Sequence, residues 1–202
     1  MKGRNWALGF WQRRASISTP VAHSVMKIVV CGTFCSGKTT LALHLQAQLQ
    51  NVLLLADHCR DILDLYPDVD WTIPELRDYL VVRQLFMEKR SCSHDSITIV
   101  DSGIISNLAH DRVLLEHQQD RTHLITALQH EPYDLVFHCD YRDIDLIDDG
   151  QRFTDEDLRK RVDLEVVNVL DMLHYPSRIL LAGSKEDRLK RALSYVLQWR
   201  NQ

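Results

Sequence analysis

Five short apolar runs recur along the chain, at 27–31 (KIVVC), 51–56 (NVLLLA), 97–101 (ITIVD), 134–140 (DLVFHCD) and 178–183 (RILLAG). Each is apolar with little alternation, as a strand buried on both faces is. Between them lie longer stretches whose apolar positions return at helical spacing. That spacing predicts helices over 38–50, 72–92 and much of 102–130, a fourth running to about Leu173 and a last one toward Trp199. End signals agree with it: Pro74 falls in a first turn with Glu75 behind it, Thr154 with Asp157 three residues on forms a capping arrangement, and Ser184 caps the last helix. Strands alternating with helices are the pattern of βαβ units, so the expected fold class is α/β, a three-layer sandwich around a mainly five-stranded parallel sheet.

Composition narrows the partners. The chain has 202 residues, 45% hydrophobic and 26% charged, the size of one globular domain. No apolar run approaches the roughly 18 residues needed to span a bilayer. A net charge of −4 gives no general pull toward nucleic acid, and basic–aromatic patches are lacking, which disfavours a nucleic-acid-processing ATPase. No membrane and no nucleic acid partner is expected; a small molecule is. The five cysteines (Cys31, Cys35, Cys59, Cys92, Cys139) are odd in number and without CxxC spacing, as reduced thiols of a cytoplasmic protein are, so neither disulfides nor a zinc site is expected. Charge is uneven: residues 1–25 carry Lys2, Arg4, Arg13 and Arg14 and no acid, leaving 20 basic against 28 acidic residues in the remainder. The expected division is a basic N-terminal extension over 1–25 and one domain over 26–202, with Met26 opening the first strand. A targeting peptide is the other reading of 1–25, although its apolar patch WALGFW is short for a secretory segment.

The junction of the first strand and first helix carries the chemistry. GTFCSGKT, residues 32–39, satisfies G-x-x-x-x-G-K-[ST] between a buried strand and a helix. Its glycines permit backbone angles that turn successive N–H groups inward around phosphate oxygens, and the helix adds the positive end of its dipole. The nucleotide-binding set is Gly32, Thr33, Cys35, Ser36, Gly37, Lys38, Thr39 and Thr40. Lys38 bridges the β- and γ-phosphates in this pattern, Thr39 places its hydroxyl on Mg²⁺, and Thr40 serves the α-phosphate. Cys31 and Cys35 flank and occupy the loop, where two small side chains need no redox role.

Three further features surround the loop. Asp101 ends the third strand, where open α/β sheets bind ligands, and is the candidate second metal-side carboxylate; the alternative is an ordinary acid opening a loop. Asp57 ends the second strand, followed by Arg60 and Asp61. Asp57 can position or deprotonate an attacking hydroxyl and Arg60 can hold the acceptor, or the pair can simply be a helix-terminal acid with an exposed arginine. In DDGQRFTDEDLRKR, residues 148–161, the Asp149–Gly150 turn and Arg152 suggest a lid whose guanidinium closes over the phosphates, whereas Arg159, Lys160 and Arg161 read better as a solvated helix of mixed charge. His110, His117, His123 and His130 recur at spacings of seven, six and seven, which reads as an exposed helical face rather than a metal stripe.

GTFCSGKTTLALHL, an acid three residues before Arg60-Asp61, IVDSG at strand three and DGQR at 149–152 together resemble the P-loop group that includes the ribosylnicotinamide kinase domain of NadR, often filed among AAA-like ATPases. The resemblance spans about residues 26–198 and implies ATP as donor and a nucleoside-like acceptor. The chain departs from that kinase in having Asp57 where it has Glu and Gly103 where it has a second acid. Two function classes follow. The first is a Mg²⁺-ATP-dependent kinase acting on a hydroxyl of a nucleoside-like or vitamin-like molecule, with Lys38, Asp57, Asp101 and Arg152 as its catalytic set. The second is a regulatory ATPase or switch acting on a protein partner; with no NKxD-like guanine reader, a GTP switch is disfavoured.

Overall fold

The five apolar runs form one sheet. In the computed structural model, which describes residues 26–91, 97–115, 121–146, 153–175 and 178–200, the strands are β1 (Met26–Cys31), β2 (Val52–Leu55), β3 (Ile97–Asp101), β4 (Leu135–Cys139) and β5 (Arg178–Leu181), in the order β2-β3-β1-β4-β5. Every neighbouring pair is parallel. β1, β3 and β4 are buried throughout, while edge strand β2 leaves Leu53 exposed. The expected extension over 1–25, together with Cys92, His117, the Asp149–Gly150 turn and Arg152, lies outside the described residues.

Seven helices are described: α1 (Lys38–Gln48), α2 (Cys59–Leu65), α3 (Pro74–Arg90), α4 (Gly103–Leu114), α5 (Thr122–His130), α6 (Glu156–Met172) and α7 (Lys185–Arg200). Alternate strand residues serve two cores, as the period of two requires. Ile28, Val30, Ile99, Phe137 and Leu181 pack on Leu41, Ala42 and Leu45 of α1 and Ala192 and Val196 of α7. Val29, Val100 and Val136 face Val81 of α3, Ile104, Ile105 and Leu108 of α4, Leu124 of α5 and Val166 and Val169 of α6. These are the three layers. Because β1 sits between β3 and β4, the chain leaves it toward one edge and returns to the other, and a crevice opens at the carboxyl ends of β1 and β3. Among the described residues no helix is long and apolar enough to cross a membrane.

Residues 102–130 are helical for much of their length, as α4 and α5: Leu115 takes an extended conformation after α4 and is itself buried, and α5 begins at Thr122. One expectation is corrected. The cap of α6 is Asp155 rather than Thr154; its Oδ1 accepts from Asp157 N at 2.8 Å and Leu158 N at 3.1 Å, two charge-assisted bonds that a hydroxyl cannot match. Ser184 does cap α7, its Oγ accepting from Asp187 N and donating to Asp187 Oδ2.

Candidate functional site

The loop between β1 and α1 is held from outside by two arginines. Arg159 of α6 donates from Nη2 to the carbonyls of Cys35 (2.9 Å), Tyr141 (3.2 Å) and Ile144 (2.9 Å), with its guanidinium 4.8 Å from the Tyr141 ring centroid. Arg188 of α7 donates from Nη1 to Ser36 O (3.0 Å) and from Nε to Gly183 O (2.8 Å). In a trans peptide the N–H points opposite to the carbonyl, so drawing the Cys35 and Ser36 carbonyls onto guanidinium groups turns the N–H groups of Ser36 and Gly37 the other way. Gly32, at φ 141°, cannot carry a side chain: a Cβ there would stand 2.9 Å from the Cys139 carbonyl and from Ser36 Oγ. Cys35 joins Gly37 in the left-handed region, at φ 52° and 84°. Lys38 spans the loop, its buried Nζ donating to Thr33 O at 2.6 Å. Arg159 is thereby a correction: the charge run 154–161 was read as solvated, and Lys160 and Arg161 are exposed, but Arg159 is 2% exposed.

Two carboxylates stand at the strand ends beyond the loop, in opposed environments. Asp101 is 2% exposed, and its Oδ1 is buried without a hydrogen-bond partner among the described residues. Burial, then the charge of Asp57, raise its pKa to about 6 against the pull of Lys38, the Thr39 hydroxyl and Arg60. Asp57 accepts from Cys59 N at Oδ1 and from Ser102 Oγ at Oδ2, both at 3.0 Å. Burial works to raise its pKa too, but the Cys59 N–H, the Lys38 charge and the Ser102 hydroxyl outweigh it and hold the group below the usual carboxylate range. Ser102 and Gly103 take positive φ in succession, 72° and 64°, and it is from this turn that the serine hydroxyl reaches Asp57. A Cβ at Gly103 would stand 2.8 Å from Val29 Cγ2 and 2.9 Å from Tyr133 Oη, which leaves no room for an acid.

The loop and Asp57 open onto one cavity of about 350 Å³. Cys35, Ser36, Gly37, Lys38, Thr39, Thr40, Asp57 and Arg60 all line it, so the structure brings most of the sequence-derived set together. Gly32 and Thr33 lie behind it in the base of the loop, where Thr33 is fully buried with Oγ1 donating to Arg159 O; Asp101 is not among its lining residues. Phe153 lines it with its ring against Phe34, centroids 5.6 Å apart. The far wall was not foreseen. It consists of Trp71, Arg77 of α3, and Ser106, Asn107 and His110 of α4. The three α4 residues stand at i, i+1 and i+4 on one face of a helix whose other positions are largely apolar, a phase that distinguishes them in the sequence alone. The four-histidine face also dissolves: His110 lines the cavity, while His123 and His130 are exposed on α5. Among the described residues no cluster of three or more His, Cys, Asp or Glu could hold a metal ion.

A parallel sheet of this order with G-x-x-x-x-G-K-T after its central strand defines a P-loop nucleotide-binding fold of the kinase-like type. The chain belongs to the AAA domain family, whose pattern matches residues 27–188. No curated protein matches the sequence. Among solved structures, NadR in complex with NAD and AMP-PNP is similar at TM-score 0.71 and 16% identity, over 90% of this chain and 51% of that one. NadR in complex with NR is similar at TM-score 0.66 and 18% identity, over 90% and 53%. This chain thus spans about half the length of those NadR chains. Thymidylate kinase from Candida albicans aligns at TM-score 0.66 and 13% identity over 88% and 93%, and deoxyadenosine kinase from M. mycoides at 0.61 and 12% over 86% and 100%.

Proposed function

We propose that this domain is a Mg²⁺-ATP-dependent kinase that transfers the γ-phosphoryl group to a hydroxyl of a small, nucleoside-like acceptor. One observation carries the reading: a single cavity runs from the phosphate loop past Asp57 to a polar wall of α3 and α4 that a phosphate site alone does not need. An ATP-driven switch acting on a protein has no need of that wall. The fold is shared with proteins described as complexes with AMP-PNP and NR and with nucleoside and nucleotide kinases, which supports the same reading.

In this mechanism the N–H groups of the loop and Lys38 bind the β- and γ-phosphate oxygens. Asp101, with its buried unpartnered Oδ1, and the Thr39 hydroxyl beside it fit a divalent cation and would hold Mg²⁺; bound there, the ion supplies charge neutralisation to the phosphates. Asp57, ionised at neutral pH, orients the acceptor hydroxyl and takes its proton as the acceptor oxygen bonds to γ-phosphorus and the bond to the β,γ-bridging oxygen breaks. Arg60 holds the acceptor at the rim; Arg152, expected to serve the phosphates, lies outside the described residues.

The test is ADP formation from Mg-ATP with and without a panel of nucleosides and related metabolites. At least one acceptor raises turnover, and Asp57→Ala removes that stimulation; if no acceptor does so, the kinase reading is wrong. Lys38→Ala weakens nucleotide binding by at least about 100-fold, since the phosphates lose their principal cation. Calorimetry with Mg–AMP-PNP reads this directly, and retained affinity would contradict the loop's assignment.

A further inference from the structure

His110 has its protonation set by its own helix. Nδ1 lies 2.7 Å from the carbonyl oxygen of Ser106, one turn back. A carbonyl only accepts, so Nδ1 carries the proton and donates, and Nε2 is left with its lone pair. Among the described residues nothing donates to that nitrogen. A second proton is opposed by the surroundings: burial first, then the charge of Arg77 and more weakly that of Lys38, lower the imidazole's pKa to about 4, against the Ser106 carbonyl and Asp57, which raise it. Arg77 is itself fixed. Its Nε donates to Asp111 Oδ1 at 2.5 Å and its Nη2 to Asn107 O at 3.2 Å, and Asp111 Oδ2 lies 2.9 Å from Arg121 Nη2. On the same face of α4, Ser106 Oγ is buried with no partner among the described residues. The far wall therefore includes an imidazole, His110, whose Nε2 can only accept.

Resting on the kinase reading above, we infer that His110 is a specificity-determining residue of the acceptor lobe: its Nε2 accepts a hydrogen bond from an N–H or O–H of the acceptor. Molecules whose facing edge carries only acceptors are rejected, because two lone pairs then face each other in a desolvated site.

Nitrogen-15 NMR of the full-length protein tests this without turnover. The imidazole of His110 stays neutral between pH 5 and 8 with its proton on Nδ1, and at least one of adenosine, guanosine, cytidine, uridine and ribosylnicotinamide shifts the Nε2 resonance well beyond that of Nδ1. His110→Phe weakens binding of that nucleoside by at least about tenfold, His110→Gln restores most of it through its amide oxygen, and affinity for Mg–AMP-PNP is unchanged in both. An imidazole that titrates near 6.5 or carries its proton on Nε2, a panel that leaves Nε2 unmoved, or a Phe variant that binds as the parent does would each overturn the inference. ADP formation in the same samples separates the two readings. A nucleoside that shifts Nε2 without stimulating turnover removes the kinase and keeps His110; stimulated turnover with Nε2 unmoved does the reverse.

Discussion

Asp57 and Asp101 both feel Lys38, yet their surroundings push their proton affinities apart, and that difference divides their roles. Asp57 has two hydrogen-bond donors and stays ionised; Asp101 is buried with one oxygen unpartnered and its pKa is raised to about 6. A carboxyl whose folded pKa exceeds its unfolded value of 3.8 binds more protons folded than unfolded between those two values. Stability therefore falls as pH rises through that window, and above pH 6 the charged Asp101 is a net cost. Asp101→Asn is expected to raise stability at pH 7.5 by about 1–3 kcal/mol, measured by urea unfolding without nucleotide, while abolishing acceptor-stimulated turnover. Equal or lower stability would mean that Asp101 is not the strained group its burial implies. The neighbouring Gly103 shows the same economy of space: a side chain there would meet Val29 and Tyr133, so an acid at this position is excluded.

At the scale of elements, α6 and α7 reach across the sheet edge to set the loop's shape. Arg159 serves three carbonyls from within the core, and removing it leaves all three desolvated. Arg159→Met is expected to destabilise the domain by about 2–4 kcal/mol and to reduce the rise in melting temperature produced by Mg–AMP-PNP. The exposed Lys160→Met changes either by little, and an Arg159 variant that matched it would refute the clasp. The contrast shows where the sequence was legible. β1, β3 and β4 were plain because burial on both faces leaves them few polar positions, and the phosphate loop because its spacing is dictated by what it wraps. Arg159 was hidden within TDEDLRKR, where charge alone does not separate it from its neighbours. Only its phase does: it falls in register with Val162, Val166 and Val169, the buried stripe of α6. His110 was hidden likewise, by a histidine spacing that ran across two helices separated after Leu114.

For the whole molecule, the fold is common to a thymidylate kinase and a deoxyadenosine kinase, so under the proposed reading it does not choose between nucleotide and nucleoside acceptors, and the charge of the site is what bears on that choice. Residues 26–202 carry 20 basic against 28 acidic side chains. Three described cations line the cavity, Lys38, Arg60 and Arg77. Under the proposed kinase reading Lys38 serves the donor phosphates. Arg77 is paired with Asp111, which also faces Arg121, which reaches Asp78, so this ladder of two arginines and two aspartates is neutral. An acceptor phosphate would find Arg60 at the rim and the ionised Asp57 beside it. A phosphomonoester carries about −1.5 to −2 at pH 7, and a like charge some 4 Å away costs on the order of 1–4 kcal/mol at effective dielectric constants from water to protein surface. Nucleosides are therefore expected to exceed their 5′-monophosphates in kcat/KM by at least about tenfold, as measured by coupled ADP assay at low ionic strength. Raising salt should narrow the gap, since a screened repulsion weakens while a steric exclusion does not. A monophosphate that proved the better acceptor would require a phosphate clamp supplied by Arg60 together with residues beyond the described wall, and the acceptor lobe would then be built for a nucleotide.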